Sequence, residues 1–194
     1  MGIGETARAA YRDALPALSG SLVGGLLAGV VLGGMRAEFR AVPGLLVLVP
    51  ALLATRGNVY GSFGARLSTG LHQGLVEPRV SPGDERLRGA VAAALSNGVG
   101  VAAFAAVAAF LALRLLGEPV APLGTLVLIA VLAGLLSGAA LAAVVIVVVF
   151  AGYRRGLDPD TLVGPLVTTT GDVFGTLFLL VAVRATLALV GGGG

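Results

Sequence analysis

The chain has 194 residues, of which 57% are hydrophobic and only 12% charged, with a mean hydropathy of +0.99. A soluble domain carries about 25% charged residues, so the composition excludes one and points to an integral membrane protein. Lysine and cysteine are absent, and the formal charge of +3 reports arginines in connecting segments, giving no ground for nucleic-acid binding.

The first uncharged run is Leu15–Met35, and two later ones are Gly89–Leu113 and Val120–Tyr153. Each reaches or exceeds the roughly 18–20 apolar residues that span a bilayer. A lipid-exposed backbone must satisfy its own hydrogen bonds, which leaves helices or closed barrels. Barrel strands alternate polar and apolar residues, and runs such as LAAVVIVVVF do not. The expected fold is therefore all-α, with five transmembrane helices at about 15–35, 43–73, 89–115, 122–152 and 161–187. No signal peptide is expected, because the first run is too long for an h-region. Gly20, Gly24, Gly25, Gly29 and Gly33 in the first run, and Gly134 and Gly138 in the fourth, have the small-xxx-small spacing that lets helices approach closely.

The second span is unusual. Its uncharged part, Ala41–Thr55, is too short to cross alone, but a helical pattern continues through Arg56 to about Gln73. Asn58, Ser62, Ala65, Thr69 and His72 form a polar stripe at helical spacing, while Pro43, Pro50, Gly57 and Gly64 recur every seven residues. Such a face suits a water-lined path and suits tight helix packing equally. His72, the one histidine, has no second His or Cys for a transition-metal site and reads as a mouth or packing residue. The segment Gly74–Arg88 is a proline-containing loop with a PGDE turn. Asn97 in the third span and Ser137 in the fourth are expected to make interhelical hydrogen bonds.

The fifth span is preceded by GLDPD, in which Asp158 before Pro159 is a good helix cap; with Asp160 it would alternatively form a cation-attracting mouth. Within the span lies Asp172, twelve residues after Asp160 and twelve before Arg184, and so near the bilayer midplane. A carboxylate there costs about 2.5–3.5 kcal/mol on insertion scales and by default marks an ion path. Pro165, Thr168, Asp172, Gly175 and Leu179 share one face, with Thr169 adjoining it. Hard cations take oxygen ligands, and Mg²⁺ binds through one or two carboxylates while keeping waters. A hydrated Mg²⁺ between one Asp from each of two chains would be charge-balanced. The alternative is a structural carboxylate, protonated or paired with Arg56. No Walker loop, GxSxG or paired-His motif is present, so no enzyme is expected.

Orientation follows the arginine bias. An inside N-terminus places Arg8, Arg12, Arg79, Arg86, Arg88, Arg154 and Arg155 in the cytoplasm and leaves Arg36 and Arg40 in outside loops. The C-terminus is then outside, with the closing GGGG as a frayed tail.

The stretches PALLATRGNVYGSFGARLSTGLHQG and LDPDTLVGPLVTTTGDVFGTLFLL resemble the MgtE-type magnesium transporter family, in its archaeal and solute-carrier branch. The resemblance covers the whole chain as a single five-helix membrane domain, 1–194. It implies a dimeric pore on a two-fold axis, lined by the second and fifth helices and embedded in membrane lipid. Asp172 would bind hydrated Mg²⁺ from both subunits, and Asn58 with its neighbours Gly57, Gly61 and Ser62 would line the pore, as would Pro165, Thr168, Thr169 and Gly175. Bacterial members carry a cytoplasmic Mg²⁺-sensing region before the first helix, whose gating is not expected here. Arg56 stands where those members favour a small residue. A single unit is expected to pair with an identical chain or a sister five-helix subunit. The leading expectation is thus a Mg²⁺ channel or transporter in the cell membrane. At −100 mV a divalent ion gains about 4.6 kcal/mol on entry, so no coupled energy source is required. Na⁺-coupled Mg²⁺ export and a non-conducting assembly subunit are the alternatives.

Overall fold

The structure, a computed structural model, describes residues 3–81, 83–156 and 159–191. These form six helices: α1 (Ile3–Gly34), α2 (Arg36–Ala41), α3 (Leu45–His72), α4 (Glu85–Leu115), α5 (Leu123–Arg154) and α6 (Pro159–Gly191). By length and composition α3, α4, α5 and the Leu166–Val190 part of α6 can each cross a membrane, and α1 adds a shorter apolar stretch, Leu18–Gly34. The protein is therefore an all-helical, multi-pass membrane protein. The segment expected as an irregular loop around Arg36 and Arg40 is instead the short helix α2.

Local chemistry sets the helix ends. Asp84 caps α4, its Oδ1 accepting from the Leu87 amide at 2.9 Å, so the PGDE segment serves as a helix start as well as a turn. Glu85 in the first turn and Arg114 in the last complement the helix dipole, and Arg114 also covers the Phe110 ring at 5.3 Å. The chain leaves α4 through Gly117, at φ +71°, where the Glu118 amide closes on the Leu113 carbonyl at 2.9 Å. Gly44, at φ +90°, precedes α3, and a side chain there would meet Leu113 and Val120. Beside it the Ala121 amide donates to the Pro43 carbonyl at 2.9 Å, tying the α2–α3 corner to the α4–α5 connection. Helix α6 opens at Pro159, which takes the first-turn place expected for it; Asp158, its expected cap, lies outside the described residues, as do the side chains of Asp160 and Pro165.

The most apolar helix, α5, packs against α3, α4 and α6, and α1 packs on α6. Two apolar clusters fill the bundle. One gathers Leu45, Leu48, Leu52, Leu126, Ile129 and Leu179; the other gathers Tyr60, Phe63, Leu67, Leu141, Val145 and Val149. Arg56 lies between them along α3. The glycines of α5 have the role that their spacing predicts. A Cβ on Gly134 would come 3.1 Å from the Ala102 methyl of α4, and one on Gly138 would fall on the Tyr60 hydroxyl. In α1 only Gly24 is used this way, against Thr169, while Gly20, Gly25, Gly29 and Gly33 face open space. Ser137 departs from expectation. Its hydroxyl donates to the Ala133 carbonyl at 2.5 Å within α5, the usual local bond of a helical serine, and makes no interhelical bond among the described residues.

Candidate cation site

Asp172 sits in the membrane-crossing part of α6 and is half-buried. Its neighbours on the same face grade from open to closed. Thr168 is exposed and its hydroxyl donates to the Gly164 carbonyl at 2.9 Å, whereas Gly175 is buried and Leu179 is 1% exposed in the apolar core. Asp172 thus lies where this face passes from the outside of the bundle to its interior. Thr176, one turn on, is fully buried and returns its hydroxyl to the Asp172 carbonyl at 2.9 Å, which satisfies the backbone and leaves the carboxylate uncommitted. Thr169 turns toward α1, where Gly24 leaves room for its methyl at the edge of an apolar cleft of about 550 Å³.

Arg56 of α3 approaches the same face. It is only 6% exposed, and both terminal guanidinium nitrogens lack a hydrogen-bond partner among the described residues. Its guanidinium rests on Gly175, where a Cβ would overlap Nη1 and come 2.8 Å from Leu53. Asp172 is near enough to attract it electrostatically, but the two form no ion pair within bonding distance. Pairing of Arg56 with Asp172 as a fixed structural bridge is therefore not what the fold contains. Arg56 also borders a void of about 10 Å³, lined with it by Thr55, Tyr60, Gly98, Ala102 and Gly134, with room for about one water. The Tyr60 hydroxyl is buried without a partner and lies against Gly98 and Gly138.

The polar stripe of α3 faces outward. Asn58, Ser62, Thr69 and His72 are all exposed, and beside them Gly57 and Gly61 have open space where a side chain would begin. Asn58 and Ser62 lie in a groove of about 510 Å³ closed by α4 through Ala90, Ala94 and Asn97. Within one chain the groove of Asn58 and the α6 face of Asp172 are thus separate: Leu53 and Arg56 look toward α6, Asn58 and Ser62 toward α4. Arg66 shares the groove. Sequence reading passed over it, although its four-residue step from Ser62 marks it as a member of the stripe. His72 holds the Ser68 carbonyl at 2.9 Å through Nδ1 and meets the Tyr153 ring edge-on at 5.5 Å. The described residues contain no group of three or more His, Cys, Asp or Glu side chains able to hold a metal.

Sequence reading also missed Glu38. It is buried on α2, and its Oε1 accepts from Arg184 Nε of α6 at 2.9 Å. That hydrogen bond holds the Glu38 carboxyl below its ordinary value of 4.5.

A bundle of helices long and apolar enough to cross a membrane, one of them carrying a carboxylate, defines a multi-pass membrane protein. Residues 49–182 match the model of the MgtE family, described as divalent cation transporter, and the chain belongs to that family. It is also similar to solute carrier family 41 member 3 of Rattus norvegicus, with 30% identity over 174 residues. That match covers 86% of this chain and 36% of the relative, so the chain spans little more than a third of that relative's length.

Proposed function

We propose that the chain is one subunit of a Mg²⁺ pathway in which Asp172 is the ion's ligand. The observation that carries this reading is a half-exposed carboxylate in an apolar membrane helix, bound to no cation among the described residues. A carboxylate kept for structure would have a bonded partner, because burial of a lone charge is costly. A single aspartate suits an ion that keeps most of its water, and Mg²⁺ dehydrates reluctantly. A second chain, identical or a sister subunit, would supply a second aspartate across a two-fold axis. The exposed stripe of Asn58, Ser62 and Thr69 supports such pairing. Lipid offers those groups no hydrogen bonds, whereas a facing copy or a water-filled lumen does. The five-helix unit would sit with its N-terminus in the cytoplasm, as the arginine distribution favours, and Mg²⁺ would run down its electrochemical gradient.

The test is Mg²⁺ flux into proteoliposomes holding this chain alone, beside Asp172→Ala, with dimer content measured for both. The expected result is flux in the native protein and background flux in an intact Asp172→Ala dimer. Equal flux in the two would remove Asp172 from the pathway. An Asp172→Ala chain that no longer dimerises would favour the non-conducting assembly reading.

A further inference from the structure

Arg56 is the least expected residue in the bundle. A guanidinium that is 6% exposed, with both terminal nitrogens unbonded, sits in a membrane-crossing helix between two apolar clusters. An unpaired buried charge is strongly unfavourable, and chains retain one where it acts. The surroundings are shaped for it. Gly175 of α6 leaves out the side chain that would overlap Nη1, so the guanidinium fits against α6 at that position. Asp172 precedes Gly175 by three residues and so occupies the same face of α6. Arg56 also borders a small void beside Thr55 and Tyr60, with room for about one water.

We propose that Arg56 is a tethered cation that competes with the transported divalent ion for the Asp172 carboxylate and so holds the site at low affinity. This rests on the reading of Asp172 as the ligand. With the site empty, the Arg56 charge offsets that of Asp172. An arriving divalent ion meets a carboxylate already partly neutralised and a positive charge held against Gly175 on the same face of α6. Like charges in a medium less polarisable than water repel strongly. The ion therefore binds weakly and leaves readily, as conduction requires. The same charge disfavours a second cation entering from the α3 side.

The experiment measures Mg²⁺ binding to the purified full chain by titration calorimetry, and Mg²⁺ flux in proteoliposomes, for the native protein and for Arg56→Gln, Arg56→Met, Arg56→Lys and Asp172→Asn. Both neutral variants should bind Mg²⁺ about tenfold or more tightly, with a lower half-saturating concentration and a lower maximal flux. Arg56→Lys keeps the charge and should stay within about threefold of native affinity. Two different neutral side chains are included so that poor folding of one does not decide the matter. Affinity unchanged or weakened in the neutral variants, with binding abolished in Asp172→Asn, would overturn this proposal and leave Asp172 as the ligand. Neutral variants and Arg56→Lys tightening alike would mark Arg56 as a packing element and also overturn it. Binding that survives Asp172→Asn would overturn the site and this proposal together.

Discussion

Glu38 and Arg184 lie far apart in the chain yet fasten the short helix α2 to α6, with one carboxylate oxygen bonded and the other, Oε2, buried without a partner among the described residues. Arg184 is largely exposed, so salt and water screen its charge and the directed hydrogen bond is the larger part of the interaction. Glu38→Gln should lower thermal stability in detergent by about 1.5–3 kcal/mol at pH 7, the range for a hydrogen bond to a charged group. The sign of the pH dependence follows from the lowered pKa. The unfolded chain takes up the proton first as pH falls, so this contribution is fully present above about 4.5 and lost below it. The stability difference between native protein and Glu38→Gln should therefore be constant from pH 7 to about 5 and shrink below 4.5. A difference that stays constant down to pH 3 would show that Arg184 does not select the ionised form. No local spacing announces this pair, since nothing in the sequence around Glu38 refers to a residue on the last helix. Asp172 was legible for the opposite reason: one carboxylate within an uncharged run is conspicuous without knowledge of its neighbours.

Among elements, the α3–α4–α5 contact is the most closely fitted, because Tyr60 of α3 is seated on Gly98 and Gly138. Gly138→Ala would place a methyl on the Tyr60 hydroxyl, 3.1 Å from Cζ and 3.3 Å from Leu95. Over-packing of this kind should cost about 1–3 kcal/mol, read as a lower midpoint of thermal unfolding. Gly100→Ala on α4 meets nothing within 4 Å and should be neutral or stabilising by up to about 1 kcal/mol, through helix propensity alone. Equal loss in both would mean that α5 relaxes around the added methyl. The comparison also bounds what spacing can tell. Glycines at intervals of four occur in α1 and α5 alike, and sequence reading gave both the same role. In α5 they receive neighbours inside the chain, whereas in α1 only Gly24 does, because a repeat marks a smooth face and does not encode what lies against it. Uncharged runs and helical spacing brought the limits of α3 and α5 within about two residues, whereas α4 begins at Glu85, inside the segment read as a loop through Arg88. Helix α2 was not readable, being six residues long and too short for any period to register.

For the molecule as a whole, the distribution of exposed side chains matters most. Leu22, Leu26 and Val30 of α1 are more than half exposed, as suits contact with acyl chains, while α3 presents Asn58, Ser62 and Arg66 on a surface of similar depth in the sequence pattern. The chain has no cysteine, so single-cysteine variants report without background. In proteoliposomes, Asn58→Cys should react with a membrane-impermeant, water-soluble thiol reagent, and Val30→Cys should not. Protection of both would remove the water-lined path from α3. Reaction of both would mean that the reagent reads the lipid face as readily as the groove. The polar stripe was visible in the sequence, but its outward direction was not. Periodicity places residues on one side of a helix and leaves open whether that side meets the bundle or its surroundings.

The corner at Gly44 has a mechanical meaning beyond its backbone angle. The Ala121 amide bound to the Pro43 carbonyl makes one end of α3 a fulcrum, anchored to the turn between α4 and α5. Every other point on α3 is then an arm of a lever, and its travel grows with distance from that corner. At about 1.5 Å per residue, a tilt of about 5° would carry Arg56 by roughly 1.5 Å and the His72 end by roughly 3.5 Å. Arg56, against the same face of α6 as the carboxylate, would move by about the radius of a water molecule, and the far end of the polar stripe by about twice that. A tilt about that corner would thus open the surroundings of α3 more at its His72 end than beside Arg56.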